Sequence, residues 1–160
     1  MAERLSRFGV GPRIAAASLT YSALAAVLTW AYPRECLVGV LTIPVIRTLA
    51  IILIAIGVVI WILGIVGAMR AYNRDELITT GIFAVVRHPV YSAWIVFNFP
   101  GLALLTTSWP FLITPLVAYA VFKLSIHVED AYLAERFGQA YLEYRRRVRE
   151  VLPIPRFGVS

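Results

Sequence analysis

The sequence predicts an all-α polytopic membrane protein with about four transmembrane helices and a C-terminal helix-turn-helix lid on the cytoplasmic side. Three observations carry that expectation. Of the 160 residues, 60% are hydrophobic and mean hydropathy is +0.78, whereas a soluble domain is about half apolar. The apolar residues are gathered into long runs with at most one charge each. All but Arg34 and Arg47 of the fifteen Lys and Arg residues fall on one side of the topology those runs imply.

The runs come in order. Residues 14–31 are uncharged and close to the roughly 20 residues a span requires. Residues 49–69 form a second run, with Gly57, Gly64 and Gly67 suited to close helix packing. A third covers 90–108; Trp109-Pro110 breaks it, and a shorter fourth covers 111–126, so the last two read as a tight antiparallel hairpin. Four spans put the N-terminus, the 70–88 loop and the C-terminal segment together, and the positive-inside rule makes that side cytoplasmic. Trp30 and Trp109 then fall at the opposite interface, as an aromatic belt expects. The net charge of +6 reads as topology and attraction to anionic headgroups, not nucleic-acid binding. Cys36 is the single cysteine, so neither an internal disulfide nor a cysteine metal cluster is expected, and no residue is assigned to a metal. The N-terminus lacks a signal-peptide pattern and the C-terminus a prenylation cysteine. Residues 1–160 are read as one membrane domain.

Chemistry concentrates at two places. Arg87-His88-Pro89 stands at the mouth of span three. Pro89 suits the first turn of a helix, and the residue before a proline is pushed out of helical geometry. Arg87 and His88 are therefore expected at the rim, beside free backbone N–H groups that favour anions, with Tyr91 able to turn its hydroxyl to the same place. The plainer alternative makes Arg87 a topology anchor and His88 a cap. Gly81 sits in a turn-like stretch leading back to the membrane. The second place follows span four, which continues as a helix to about Phe137. Gly138 supplies a stop, a second helix covers about 139–148 with Tyr141, Tyr144 and Val148 along one face, and Pro153 and Pro155 end it. Glu129 and Asp130 are either a solvated acidic face or, in a hairpin, neighbours of Arg87, His88 and Tyr91. His127 lies beside them. Arg145, Arg146, Arg147 and Arg149 read mainly as a headgroup anchor.

Together the two blocks resemble the isoprenylcysteine carboxyl methyltransferase and phospholipid methyltransferase superfamily of integral membrane enzymes. The first block is Leu77-x-Thr79-x-Gly81-x-Phe83-x-x-x-Arg87-His88-Pro89-x-Tyr91, followed by Gly101. The second runs from Glu129-Asp130 through Leu133, Phe137-Gly138, Tyr141, Tyr144 and Val148 to Pro153-Ile154-Pro155. The resemblance implies S-adenosylmethionine as methyl donor. Gly81, His88, Pro89, Tyr91, Glu129, Asp130, Tyr141 and Tyr144 would form its pocket, and Arg87 and Glu129 would be catalytic. Glu129 would pair with the donor's α-amino group and Arg87 with its carboxylate. The family usually has two glutamates where this chain has Glu129-Asp130. Residues 77–155 are the expected cofactor half, and the spans in 1–76 are expected to shape a tunnel for a lipophilic acceptor in the bilayer. An isoprenylcysteine-like carboxylate is preferred. The alternatives are a phosphatidylethanolamine-type amine, an NADPH-dependent membrane reductase using Arg145 to Arg147, and a non-catalytic membrane protein.

Overall fold

A computed structural model of the chain describes residues 9–152; Pro153 and Pro155 lie outside them. Among the described residues, four helices are long and apolar enough to cross a membrane, as the sequence predicts. Helix α1 (Gly11–Ala31) opens with a proline in its first turn. It stops at Tyr32, which the following Pro33 forces out of helical geometry. Helix α2 (Pro44–Arg74) is longer than the uncharged run inside it, because Pro44 starts it early and it ends only at Asp75, in left-handed geometry with φ 57°. At 1.5 Å per residue, α2 exceeds the roughly 30 Å hydrocarbon thickness, so Arg47 and Arg70 project beyond it at no cost.

Span three departs from a plain helix. Here α3 (Pro89–Thr106) begins as a regular turn at Pro89, widens to a π-helix over Ala93–Asn98 and resumes as α-helix over Phe99–Thr106. Pro100 offers no N–H to the carbonyl four residues earlier and crowds it, and the chain relaxes by widening the preceding turns. Helix α4 (Thr114–Arg147) follows a 3-10 turn at Trp109–Ile113. It breaks where expected, at Gly138 (φ 56°, ψ −133°), a backbone state that a Cβ would strain.

The expected hairpin of spans three and four is present in chain order, but α3 lies chiefly along α2 and α4 chiefly along α1. Small residues allow the first pairing: a Cβ on Gly101 would come within 2.9 Å of the Ala50 carbonyl oxygen. The second pairing is apolar through Ile14, Ala118, Phe122 and Ile126, and a polar seam ties α1 to the turn that leads into α4. Thr29 Oγ1 meets Ser108 Oγ at 2.7 Å, and the Tyr21 hydroxyl donates to the Pro110 carbonyl at 3.1 Å. At the end of the bundle carrying Trp30 and Trp109, the two connections are tied together. Val38 N–H donates to Thr107 O at 2.9 Å, and Trp109 Nε1 donates to Glu35 O at 3.1 Å. At the other end, residues 149–151 run as a strap beside the entry to α3. Arg87 N–H donates to Arg149 O at 2.8 Å, His88 N–H to Glu150 O at 2.9 Å, and Ser92 Oγ to Val151 O at 2.6 Å. A core of Val10, Ile14, Ile95, Ala118, Phe122, Ile126 and Val151 sits just inside that end.

Candidate functional site

Pro89 begins α3 and is buried, and His88 before it has non-helical backbone geometry (φ −122°, ψ 69°). That geometry turns both Arg87 and His88 inward toward α4, so neither is a solvated anchor or a simple cap; both are 5% exposed. Asp130, one residue past Glu129 on α4, is 3% exposed.

Arg87 holds the centre. Its Nη1 donates to Asp130 Oδ1 at 3.3 Å and to the Tyr141 hydroxyl at 3.2 Å, while Nη2 lies 3.4 Å from Glu150 Oε1. Tyr141 in turn donates to Asp130 Oδ1. Both terminal nitrogens of Arg87 are thus engaged by the chain itself, whereas the sequence offered the guanidinium to a ligand carboxylate. Asp130, which stands where the family usually has a second glutamate, is the acid at the middle of the network. Arg145 reaches it from outside, with Nε 3.5 Å from Oδ2 and the side chain half-exposed.

Glu129 occupies a different position on the same turn. Its Oε2 accepts from the Tyr91 hydroxyl at 3.0 Å and from the Val10 main-chain N–H at 3.4 Å. His88 stands between the two acids, with Nδ1 3.5 Å from Glu129 Oε1 and Nε2 3.4 Å from Asp130 Oδ1. The imidazole stacks on the Tyr91 ring at 5.8 Å and meets Phe122 edge-on at 5.8 Å. Burial opposes the charged imidazole and is the largest single influence on it. The hydrogen bonds and charges of Asp130 and Glu129 together outweigh burial, so the His88 pKa lies above its ordinary value. Among these groups Glu129 keeps a partly exposed carboxylate, 21% accessible.

The sequence-predicted residues divide accordingly. Arg87, His88, Tyr91, Glu129, Asp130 and Tyr141 come together in one cluster. Tyr144 joins its edge, packing on Tyr141 and donating to the Phe83 carbonyl at 2.6 Å. Pro89 sets the backbone without contributing a polar group. Gly81 does not reach the cluster. It is an exposed turn residue with φ +61° and open space where a Cβ would be, required by the turn's geometry. His127 is exposed on α4. Glu143 pairs with Arg147 one turn on, on the exposed face. Sequence reasoning missed Val10 and Glu150. Glu150 is the only acid after Glu143 and stands next to the block that closes the motif, which was a usable signal. Nothing in the sequence marked Val10.

The phospholipid methyltransferase family model matches residues 37–140. The protein-S-isoprenylcysteine O-methyltransferase of Schizosaccharomyces pombe is 36% identical over 83 residues, 51% of this chain and 35% of that protein. The protein-S-isoprenylcysteine O-methyltransferase B of Arabidopsis thaliana is 28% identical over 85 residues, 53% and 43% of the two chains. A probable protein-S-isoprenylcysteine O-methyltransferase of Oryza sativa subsp. indica is 29% identical over 112 residues, 64% and 59%. The chain thus spans between 35% and 59% of the length of these relatives. No solved structure matches it significantly.

Proposed function

Because the chain belongs to the phospholipid methyltransferase family, we propose that it transfers a methyl group from S-adenosylmethionine to a lipophilic acceptor held in the bilayer. The observation that carries this reading is the buried cluster in which Glu129 and Tyr91 face His88, Asp130 and Arg87. When bound, S-adenosylmethionine supplies a methyl group on a cationic sulfur. The residues fit such a group on two counts. Glu129 keeps a partly accessible carboxylate among aromatic faces, which suits an ammonium or sulfonium. Arg87 Nε and His88 Nε2 are buried without a well-aligned hydrogen-bond partner, so the site has donor capacity in reserve.

In this reading Glu129 binds the donor's α-amino group, with Tyr91 donating to the carboxylate and fixing its direction. Arg87 holds Asp130 and Tyr141 in place, and the half-exposed Arg145 offers its remaining N–H groups to a carboxylate. Gly81 acts at a distance by shaping the loop before α3, and Tyr144 closes the edge. A methyl displacement needs little proton transfer, so positioning and exclusion of water carry most of the rate. The first two spans shape the acceptor's tunnel, and the site and both termini face the cytoplasm. A reporter fused after residue 160 that is active only outside the cytoplasm would refute that orientation.

An isoprenylcysteine-like carboxylate is the preferred acceptor, because it is already a nucleophile at neutral pH whereas an alkylammonium must first lose a proton. The names of the relatives favour the same choice. The family's description favours the second reading, methylation of a phospholipid amine, for which His88 is the nearest base. The test is binding of S-adenosylmethionine to the full chain in detergent, followed by transfer of labelled methyl to a farnesylated cysteine analogue or to phosphatidylethanolamine. Glu129→Ala abolishes binding in this reading, and Glu143→Ala leaves it intact. Binding that survives Glu129→Ala, or that is seen for NADPH instead, refutes the reading. Label appearing in phosphatidylethanolamine alone reverses the choice of acceptor.

A further inference from the structure

Outside the cluster, the strap and α4 enclose an open cleft of about 240 Å³ lined by Tyr119, Lys123, Arg149, Glu150, Val151 and Leu152. Its position in the sequence is informative. Residues 89–122 contain no charge, and Lys123 is the first charged side chain after that stretch. One turn back along α4 lies Tyr119, and across from it the exposed Leu152. The cleft therefore has an aromatic and aliphatic flank toward the apolar run and a cationic flank toward its rim.

The charges in the cleft do not balance. Glu150 gives Oε2 to Lys123 Nζ at 2.7 Å and Oε1 to Arg87 Nη2 at 3.4 Å. A single carboxylate is thus shared between two cations, one of them in the buried cluster, and Arg149 adds another positive side chain to the lining. The geometry is also held in place. Val86 and Arg149 pair in parallel, the main chains of Arg87 and His88 bind the strap, and Val151 is buried beneath it. Cations on such a frame lose little freedom when an anion arrives, which separates this place from a row of loose surface lysines. Excess positive charge at the border of an apolar flank is complementary to an amphiphile with an oxyanion head.

We propose that this cleft binds the oxyanion of a membrane amphiphile, a phosphate or a carboxylate held by Lys123 and Arg149 with its hydrocarbon chain along Tyr119 and Leu152. The lining of the site does not include Glu129. Through Glu150 it touches Arg87, so its occupant also bears on the strap that fixes the entry to α3.

The test uses the full chain in a neutral maltoside detergent, titrated by calorimetry with dihexanoylphosphatidylglycerol, with N-acetyl-S-farnesylcysteine and with the methyl ester of the latter. Loss of one charge-assisted hydrogen bond weakens binding about tenfold. That loss is expected in both Lys123→Gln and Arg149→Gln, and not in Arg34→Gln, an exposed cation at the opposite end of the bundle. Arg149 holds the strap through its main-chain oxygen, so Arg149→Gln leaves that bond intact and is decisive even if Lys123→Gln loosens the strap. Binding of phosphatidylglycerol alone identifies the head as phosphate, binding of the farnesylated acid alone identifies it as carboxylate, and binding of both supports the shared chemistry. Unchanged affinity in Arg149→Gln overturns the proposal. So does an equal loss in Arg34→Gln, or a methyl ester that binds as tightly as the free acid.

Discussion

Helices α2 and α3 lie against each other, yet they use their sequences in opposite ways. In the most apolar window of α2 only 17% of residues are buried, against 44% in α3. The outward side chains of α2 face the apolar solvent a bilayer provides, where one large aliphatic residue serves as well as another. Helix α3 begins at Arg87-His88-Pro89, contributes Tyr91 to the cluster and bends through a π segment. Mean hydropathy rates α2 as the better span, at 3.2 against 1.3, but it is the lower value that marks the helix with something to hold. In a membrane protein, departures from greasiness carry the information about function.

The contrast is broken most sharply at Arg87. Arg87→Ala takes from buried Asp130 the cation at the centre of its network, and removing one partner of such a pair costs about 3–5 kcal/mol. Arg70→Ala, near the exposed C-terminal end of α2, is expected to change stability by less than about 0.5 kcal/mol. Thermal unfolding in detergent should separate the two clearly, and similar midpoints would mean that the cluster is not a structural unit. A smaller effect is expected where the helices touch. Gly101→Leu drives side-chain atoms into the Ala50 carbonyl and Ile54, an overpacking cost of about 1–3 kcal/mol. A Gly101→Leu variant as stable as the parent would show that α2 and α3 can separate at no cost.

The pH dependence sharpens the comparison further. His88 has a raised pKa in the folded state. Its protonation therefore adds stability in full below the ordinary histidine value of about 6.5, and that stability is lost as pH rises through the higher folded value. The unfolding temperature should fall across that window in the parent and in His127→Gln, and the fall should flatten in His88→Gln. An undiminished slope in His88→Gln would assign the titration elsewhere. The smallest effect belongs to the lipid face: Ile51→Leu on α2 should shift stability by less than about 0.5 kcal/mol, and a larger shift would reveal a partner packed on that face.

The sequence expressed the local devices and concealed the long-range ones. Pro89, Gly138 and the placing of Tyr91 at the same rim as His88 were legible because each acts through its own backbone or one helical turn. The π segment was legible in principle, since Pro100 stands inside the third run, but an uncharged stretch hides it from a reading based on hydropathy. The strap pairs residues 86–88 with 149–151, and no periodicity announces a pairing across more than sixty residues. Glu150 was therefore missed, and Arg145 was read as a headgroup anchor although it leans on Asp130. Gly81 drew attention through its place in a motif; its backbone angle explains it as a turn.

The hydrogen bond from Val10 to Glu129 has a consequence for how the protein is made. The residue before the first helix supplies an N–H to one acid of the cluster, and the strap supplies two carbonyls to the backbone of Arg87 and His88. Translation proceeds from the first span to the strap, so Arg87 and His88 enter the membrane rim some sixty residues before Glu150 is polymerised. For that interval the main-chain N–H groups of Arg87 and His88 lack their carbonyls, and the Arg87 guanidinium lacks Glu150. Completion of the cluster thus waits for the strap. A chain truncated before residue 149 would keep all four spans and still present at its rim the main-chain N–H groups of Arg87 and His88 that the strap pairs.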